Sequence, residues 1–226
     1  MSDQRNSSIS ATKDTSIWDN SWFTIPYLLF LIGGLIYSLT HPFGYELMDL
    51  NPFRAEPLNT FFIFVTKVGE AKIWIILSLI LVFFFREFIL MFLVGGLFMW
   101  PFSWILKRTI GSPRPSRWLD INDLDPLVVR IPGVNLLGGY NSLPSGHTML
   151  AFMMFSLVTL MLPNRYKVFG LLFVWSAVLV GISRVFLLQH FLRDILWGSV
   201  FGLLIGDFVW QLYRKGVFTK LLFARS

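Results

Sequence analysis

Residues 88–106 read FILMFLVGGLFMWPFSWIL, nineteen positions without one charge, closed by Arg86-Glu87 on one side and Lys107-Arg108 on the other. A helix needs about 20 mostly apolar residues to cross roughly 30 Å of hydrocarbon, so this stretch reads as a membrane span. Working outward, the same rule gives spans at 22–40, 71–85, 88–106, 144–162, 168–183 and 194–213. The fold class expected is all-α, an integral membrane bundle of six helices. Residues 58–70 (LNTFFIFVTKVGE) mix apolar and charged positions and are expected as an interfacial amphipathic helix.

The whole composition agrees. Hydrophobic residues make 55% of the 226 positions and charged residues 14%, far from the roughly 25% charge of a soluble domain. There is no cysteine, which removes disulfide frameworks, thiol nucleophiles and Cys-ligated metal sites. The net charge of +6 is not gathered into a basic block, and no Walker or dinucleotide fingerprint occurs, so nucleic acid is a poor partner. Residues 1–20 are polar and lack the order of a secretory signal. They are expected as a flexible tail preceding one transmembrane domain, 21–226. The longest connection, 108–143, holds four prolines and Gly138-Gly139, expected to break regular structure. The cations Arg165 and Lys167 between spans four and five, with Arg214, Lys215, Lys220 and Arg225, put that turn and both termini in the cytoplasm.

Alternation then places the ends of spans three and five and the starts of spans four and six on one membrane face. It collects Lys107, Arg114, Ser145, Gly146, His147, Arg184, His190 and Asp194. Three cations beside two imidazoles and one carboxylate suit a multiply charged anion, phosphate above all, because Arg matches its oxygens two at a time and Lys supplies a point charge. In Pro144-Ser145-Gly146-His147 a proline at a helix start and a small glycine leave backbone N–H groups open to an anion. His190 and Asp194 are four apart and share a helix face. There the carboxylate can fix the tautomer of the imidazole, making a nucleophilic nitrogen, with His147 as acid and base. No metal or other cofactor is needed for that chemistry.

The segments KRTIGSPRP (Lys107, Arg114, Pro115), Pro144-Ser145-Gly146-His147 and SRVFLLQHFLRD (Arg184, His190, Asp194) resemble, in order, the three-part signature of the type 2 phosphatidic acid phosphatase (PAP2) superfamily. The resemblance spans 107–194 and implies a PAP2/haloperoxidase-like core, shared with vanadate-dependent haloperoxidases, while six spans argue against haloperoxidase function here. It implies a metal-independent lipid phosphatase with a covalent phosphohistidine at His190, Asp194 orienting it and His147 protonating the leaving group. Lys107, Arg114, Ser145, Gly146 and Arg184 would hold the phosphate. The substrates that fit are undecaprenyl diphosphate, phosphatidylglycerol phosphate, phosphatidic acid and a lipid A phosphate. Small size and the absence of eukaryotic targeting features add the expectation of a bacterial inner membrane, with the site facing the periplasm.

Each residue alone has a plainer reading. Lys107, Arg114 and Arg184 could snorkel to headgroups, and His147 could merely start a helix. Two whole-protein alternatives share the cations, a lipid-to-lipid phosphotransferase and a non-enzymatic anion or lipid transporter, and the transporter has no use for an imidazole held by a carboxylate. His41 reads as a turn residue. Asp207, inside span six, is left without a role beyond pairing with a terminal cation. Gly198, Gly202 and Gly206, at four-residue spacing, suit close helix packing.

Overall fold

Asn20 starts the first long helix, its Oδ1 accepting the Trp22 N–H at 3.1 Å, which satisfies one of the donors that a helix start leaves open. The computed structural model describes residues 16–81 and 86–218. They form α1 (Ser21–Thr40), α2 (Tyr45–Asp49), α3 (Leu58–Val68), α4 (Ala71–Leu81), α5 (Arg86–Ile110), α6 (Pro115–Ile121), α7 (Gly146–Met161), α8 (Gly170–Phe186) and α9 (Leu192–Arg214), with short 3-10 turns between. No strand occurs among the described residues. Four helical segments, Ser21–Thr40, Ile89–Ile121, Asn164–Phe186 and Leu192–Arg214, are long and apolar enough to cross a membrane. Leu58–Val68, Ala71–Ile80 and Gly146–Met161 are apolar but shorter.

Many large apolar side chains lie on the surface. Ile25, Leu29, Ile36 and Leu39 on α1 and Leu93, Leu97 and Trp100 on α5 are exposed large side chains, the arrangement expected where lipid replaces water. The interior packs around α7, most of whose residues are buried, with α9 and α8 as its principal partners. Phe152, Met153 and Leu157 of α7 meet Tyr27, Val178, Leu203 and Trp210 in one core cluster.

The glycines expected to serve close packing do so. A Cβ on Gly198 would sit 2.9 Å from the Ser145 carbonyl oxygen, one on Gly202 would strike the Met149 carbonyl, and one on Gly206 would meet Ser156 Oγ and the Met153 carbonyl. The α9 backbone therefore lies directly on the α7 backbone. Asp207, one residue further, accepts Ser16 Oγ at 2.6 Å and the Ile17 N–H at 3.2 Å. It is tied to the entering chain. Of the expected polar tail, 1–15 lies outside the described residues, while 16–20 is folded and Ile17 is fully buried.

Two local expectations change. Arg86-Glu87, expected as a turn, lies in the first turn of α5, and residues 82–85 between it and α4 lie outside the described residues. The prolines of 108–143 do not abolish regular structure, because Pro115 occupies the first turn of α6, where its missing N–H costs nothing. That connection is clamped over the ends of α8 and α9. Leu119 and Val128 pack with Val185, Leu188, Phe191 and Ile195, while Ile131 packs on Phe186 and Leu187. Arg54, buried behind this clamp, donates to the carbonyls of Phe186 and Leu47 at 2.9 Å each. Burial lowers its pKa to about 10.

Replacing Gly202 with alanine forces the α7 and α9 backbones apart, a strain of about 1–3 kcal/mol. The expected result is a clear drop in the thermal unfolding midpoint of the detergent-solubilised protein. Gly33→Ala, at a position with no atom within 4 Å of the new methyl group, should leave that midpoint unchanged.

Candidate active site

The turn from α8 to α9 carries a cluster of buried polar side chains, Arg184, Gln189, His190 and Asp194. α8 ends in a Schellman arrangement, with the Gln189 N–H donating to the Arg184 carbonyl at 2.9 Å and the Leu188 N–H to the Val185 carbonyl at 3.1 Å. This geometry needs a left-handed residue, usually glycine, and here Leu188 adopts φ +56°. A non-glycine residue there costs on the order of 1–2 kcal/mol. The turn is held closed by the burial of Leu188 under the 108–143 connection.

The reward is the placement of His190 and Asp194, both buried. The Asp194 Oδ2 accepts Ser142 Oγ at 2.5 Å and the Phe191 N–H at 3.0 Å, and lies 3.4 Å from His190 Nδ1. The imidazole thus presents Nδ1 to the carboxylate and keeps Nε2 as the nitrogen available for chemistry. Burial outweighs the Asp194 interaction and lowers the His190 pKa to about 4, so the ring is neutral at pH 7.

Around this pair the cations converge from three segments. Arg114, at the start of α6, is buried and gives Nε to Asn141 Oδ1 at 2.8 Å, Nη1 to the Gln189 carbonyl at 3.0 Å and Nη2 to the Asn141 carbonyl at 3.4 Å. Arg184, near the end of α8, is buried too and gives Nη1 to Thr66 Oγ1 at 2.7 Å and Nη2 to Gln189 Oε1 at 3.4 Å, while its Nε has no hydrogen-bond partner among the described residues. His147 lies within electrostatic reach of Arg184, His190, Lys107 and Arg114.

Pro144-Ser145-Gly146-His147 starts α7 as expected. Ser145 is the N-cap, its Oγ accepting the Thr148 N–H at 3.4 Å. One expected function moves, however: the Ser145 N–H donates to the Asp194 carbonyl at 3.0 Å, and so is not open to an anion. Gly146 has no atom within 4 Å of where a Cβ would lie. It borders a cavity of about 500 Å³ whose polar rim is formed by Glu70, Lys72, Lys107, Gly146 and His147 and whose walls include Met99, Trp100, Trp104 and Leu150.

All eight residues singled out from sequence therefore gather at one end of α5, α7, α8 and α9. Sequence reasoning did not find Ser142, Asn141, Gln189 and Thr66, which bind or orient the others. Only Gln189, next to His190, lay inside a motif. His41 is the C-cap residue of α1, with its ring stacked 4.1 Å from Tyr37, in keeping with a turn position. Arg193 lies over the Phe43 ring at 3.9 Å and donates to Ser112 Oγ at 2.8 Å.

A family model described as the PAP2 superfamily matches residues 73–217. Lipid phosphate phosphatase 1 of Arabidopsis thaliana is 30% identical over 127 residues, 48% of this chain and 39% of that protein, so the chain spans well under half of that relative's length. Among solved structures, a transmembrane PAP2-type phosphatidylglycerolphosphate phosphatase from Bacillus subtilis superposes with a TM-score of 0.63 at 25% identity, over 88% of this chain and 97% of that one. LpxE of Aquifex aeolicus gives a TM-score of 0.57 at 22% identity over 72% of this chain and 91% of its own, a likeness of fold.

The His190 ring can be followed by NMR of histidine-labelled protein in detergent. It is expected to titrate near pH 4, well below the usual 6.5. Asp194→Asn, which removes the charge that favours the protonated ring, should lower the midpoint further. A midpoint at or above 6.5 contradicts the burial described here.

Proposed function

The chain belongs to the PAP2 superfamily and is a multi-pass membrane protein, and from that premise we propose that it is a lipid phosphatase working through a covalent enzyme-phosphate. The observation that carries the reading is the buried His190–Asp194 pair, with Arg114, Arg184 and Lys107 around it and Lys107 and His147 lining a cavity together. One carboxylate facing three cations leaves an excess of positive charge that a phosphate dianion would neutralise.

In the proposed sequence His190 Nε2 attacks phosphorus, Asp194 takes the hydrogen bond of Nδ1–H, and the bond to the leaving oxygen breaks as His147 supplies its proton. His147 then removes a proton from water, whose oxygen attacks phosphorus as the P–N bond breaks, returning the electron pair to His190 Nε2 and releasing inorganic phosphate. Lys107, Arg114, Arg184 and the Gly146 N–H hold the three non-bridging oxygens. Ser145 supports this seat by capping α7 and bonding Asp194. No metal ion enters the scheme.

The membrane arrangement completing this reading has six crossings, α1, α4, α5, α7, α8 and α9, with α3 lying at the interface. Both termini are cytoplasmic, and the site faces the periplasm of a bacterial inner membrane. Headgroups then reach the cavity at the membrane surface while lipid tails stay in hydrocarbon. The substrate is a phosphomonoester or diphosphate of a lipid.

Purified protein in detergent, given a panel of lipid phosphates with EDTA present, is expected to release inorganic phosphate from at least one. His190→Ala should lower the rate by about 10³-fold or more, since a group that acts as part of a unit takes most of the catalysis with it. Loss of activity on chelation, or a His190→Ala enzyme of near-normal rate, overturns the histidine mechanism. Recovery of the label in another lipid instead of free phosphate identifies a phosphotransferase.

A further inference from the structure

The cavity is larger than one phosphate requires, and its polar groups fall into two sets. One set, Lys107, Gly146 and His147, belongs to the seat proposed above for the transferred phosphoryl group. The other is Glu70 and Lys72, at the junction of α3 and α4, with Lys72 Nζ 2.5 Å from Glu70 Oε2. Neither belongs to the motifs that sequence reading singled out.

We propose that Lys72, steered by Glu70, is a specificity-determining residue that binds a second phosphate group on the leaving side of the substrate. This rests on the phosphatase reading above. His147 protonates the leaving oxygen there, so whatever departs must lie on the His147 side of the transferred phosphorus. His147 and Lys72 line the same cavity, and the remaining walls are largely indole and aliphatic, fit for an alkyl or prenyl segment. A cation in that position has no use for a leaving alcohol. It has one for a departing phosphate, or for a phosphodiester carried on the leaving glycerol.

Glu70 holds the mostly exposed Lys72 beside the cavity that both residues line. Without a partner, the ammonium would extend into water or headgroups. The ion pair holds it at the cavity rim, and since an ammonium has three donors, it can keep Glu70 and bind a phosphate oxygen together. Glu70 is also within electrostatic reach of Arg184, which places the pair beside the phosphoryl seat. For a diphosphate, the P–O bond to the inner phosphate breaks as the P–N bond to His190 forms, and the inner phosphate leaves on the lipid with Lys72 countering its added charge.

The test compares matched lipids with two phosphates and one: a prenyl diphosphate against the same prenyl monophosphate, and phosphatidylglycerol phosphate against phosphatidic acid. Lys72→Met is expected to lower the selectivity for two phosphates over one about tenfold, chiefly through KM, while Lys72→Arg keeps it within about twofold. A fall in the prenyl pair alone identifies a directly bonded diphosphate, and a fall in the glycerol pair alone a phosphodiester one glycerol away. Unchanged selectivity in both pairs, or an equal loss on all four lipids, overturns the proposal. If the unmodified protein hydrolyses none of the four, the phosphatase reading fails instead.

Discussion

The buried Asp194 carboxylate is the point on which the other elements depend. An ionised carboxylate removed from water costs several kcal/mol unless it finds donors, and the donors here, all at Oδ2, come from separate stretches of chain. Ser142 Oγ reaches Oδ2 from the end of the long connection, the Phe191 N–H reaches it from the α8–α9 turn, and His190 Nδ1 faces it within that turn. Its own carbonyl takes the Ser145 N–H at the start of α7. One residue thus sets the positions of the loop, the turn and two helix starts, which together bear both imidazoles. Moving any of these pieces leaves a buried charge short of a partner.

The helix face that carries Asp194 continues into Gly198, Gly202 and Gly206, each four residues on. Along this line the α9 backbone touches α7 at Ser145, Met149 and Met153. Packing and chemistry therefore share one register. A slide of α9 by a single turn would trade glycine for a larger side chain against the α7 backbone, and would carry Asp194 away from Ser142 and Ser145. Close backbone contact gives the site its rigidity without any polar cost in hydrocarbon, since methylene and amide groups pack where bulky side chains would hold the helices apart.

What could be read from sequence followed from periodicity. Apolar runs announce spans because lipid-facing positions allow few charges, and His190 and Asp194 are four apart because that spacing shares a helical face. The glycine series is visible for the same reason. Ser142, Asn141 and Thr66 carry no such signature: two lie in an irregular connection and one in α3, and their roles arise only when 66, 141–142 and 184–194 meet in space. The left-handed Leu188 was equally hidden, since glycine is the residue that announces that conformation and the cost of leucine is covered by tertiary burial. The Ser145 N–H shows the opposite case, a plausible anion donor by position that another backbone group claims. Prolines misled at Pro115, where the residue that ends helices was starting one.

The partners chosen for the arginines explain how an anion can be received at all. Arg114 is fixed by the side chain and carbonyl of Asn141 and by the Gln189 carbonyl, and Arg184 by Thr66 and Gln189. These acceptors are all neutral. They restrain each guanidinium and satisfy part of its donor set, yet cancel none of its charge. Had carboxylates done the same work, an incoming phosphate would have had to displace them, and much of its attraction would be spent on that exchange. Asp194 is the single buried carboxylate among the described residues, and its donors are Ser142 and the Phe191 amide, so neither arginine spends a hydrogen bond on a carboxylate there. Preorganisation by neutral hydrogen bonds, with the positive field left open, is what a reaction needs when negative charge moves across a phosphoryl group and no water is free to reorient around it.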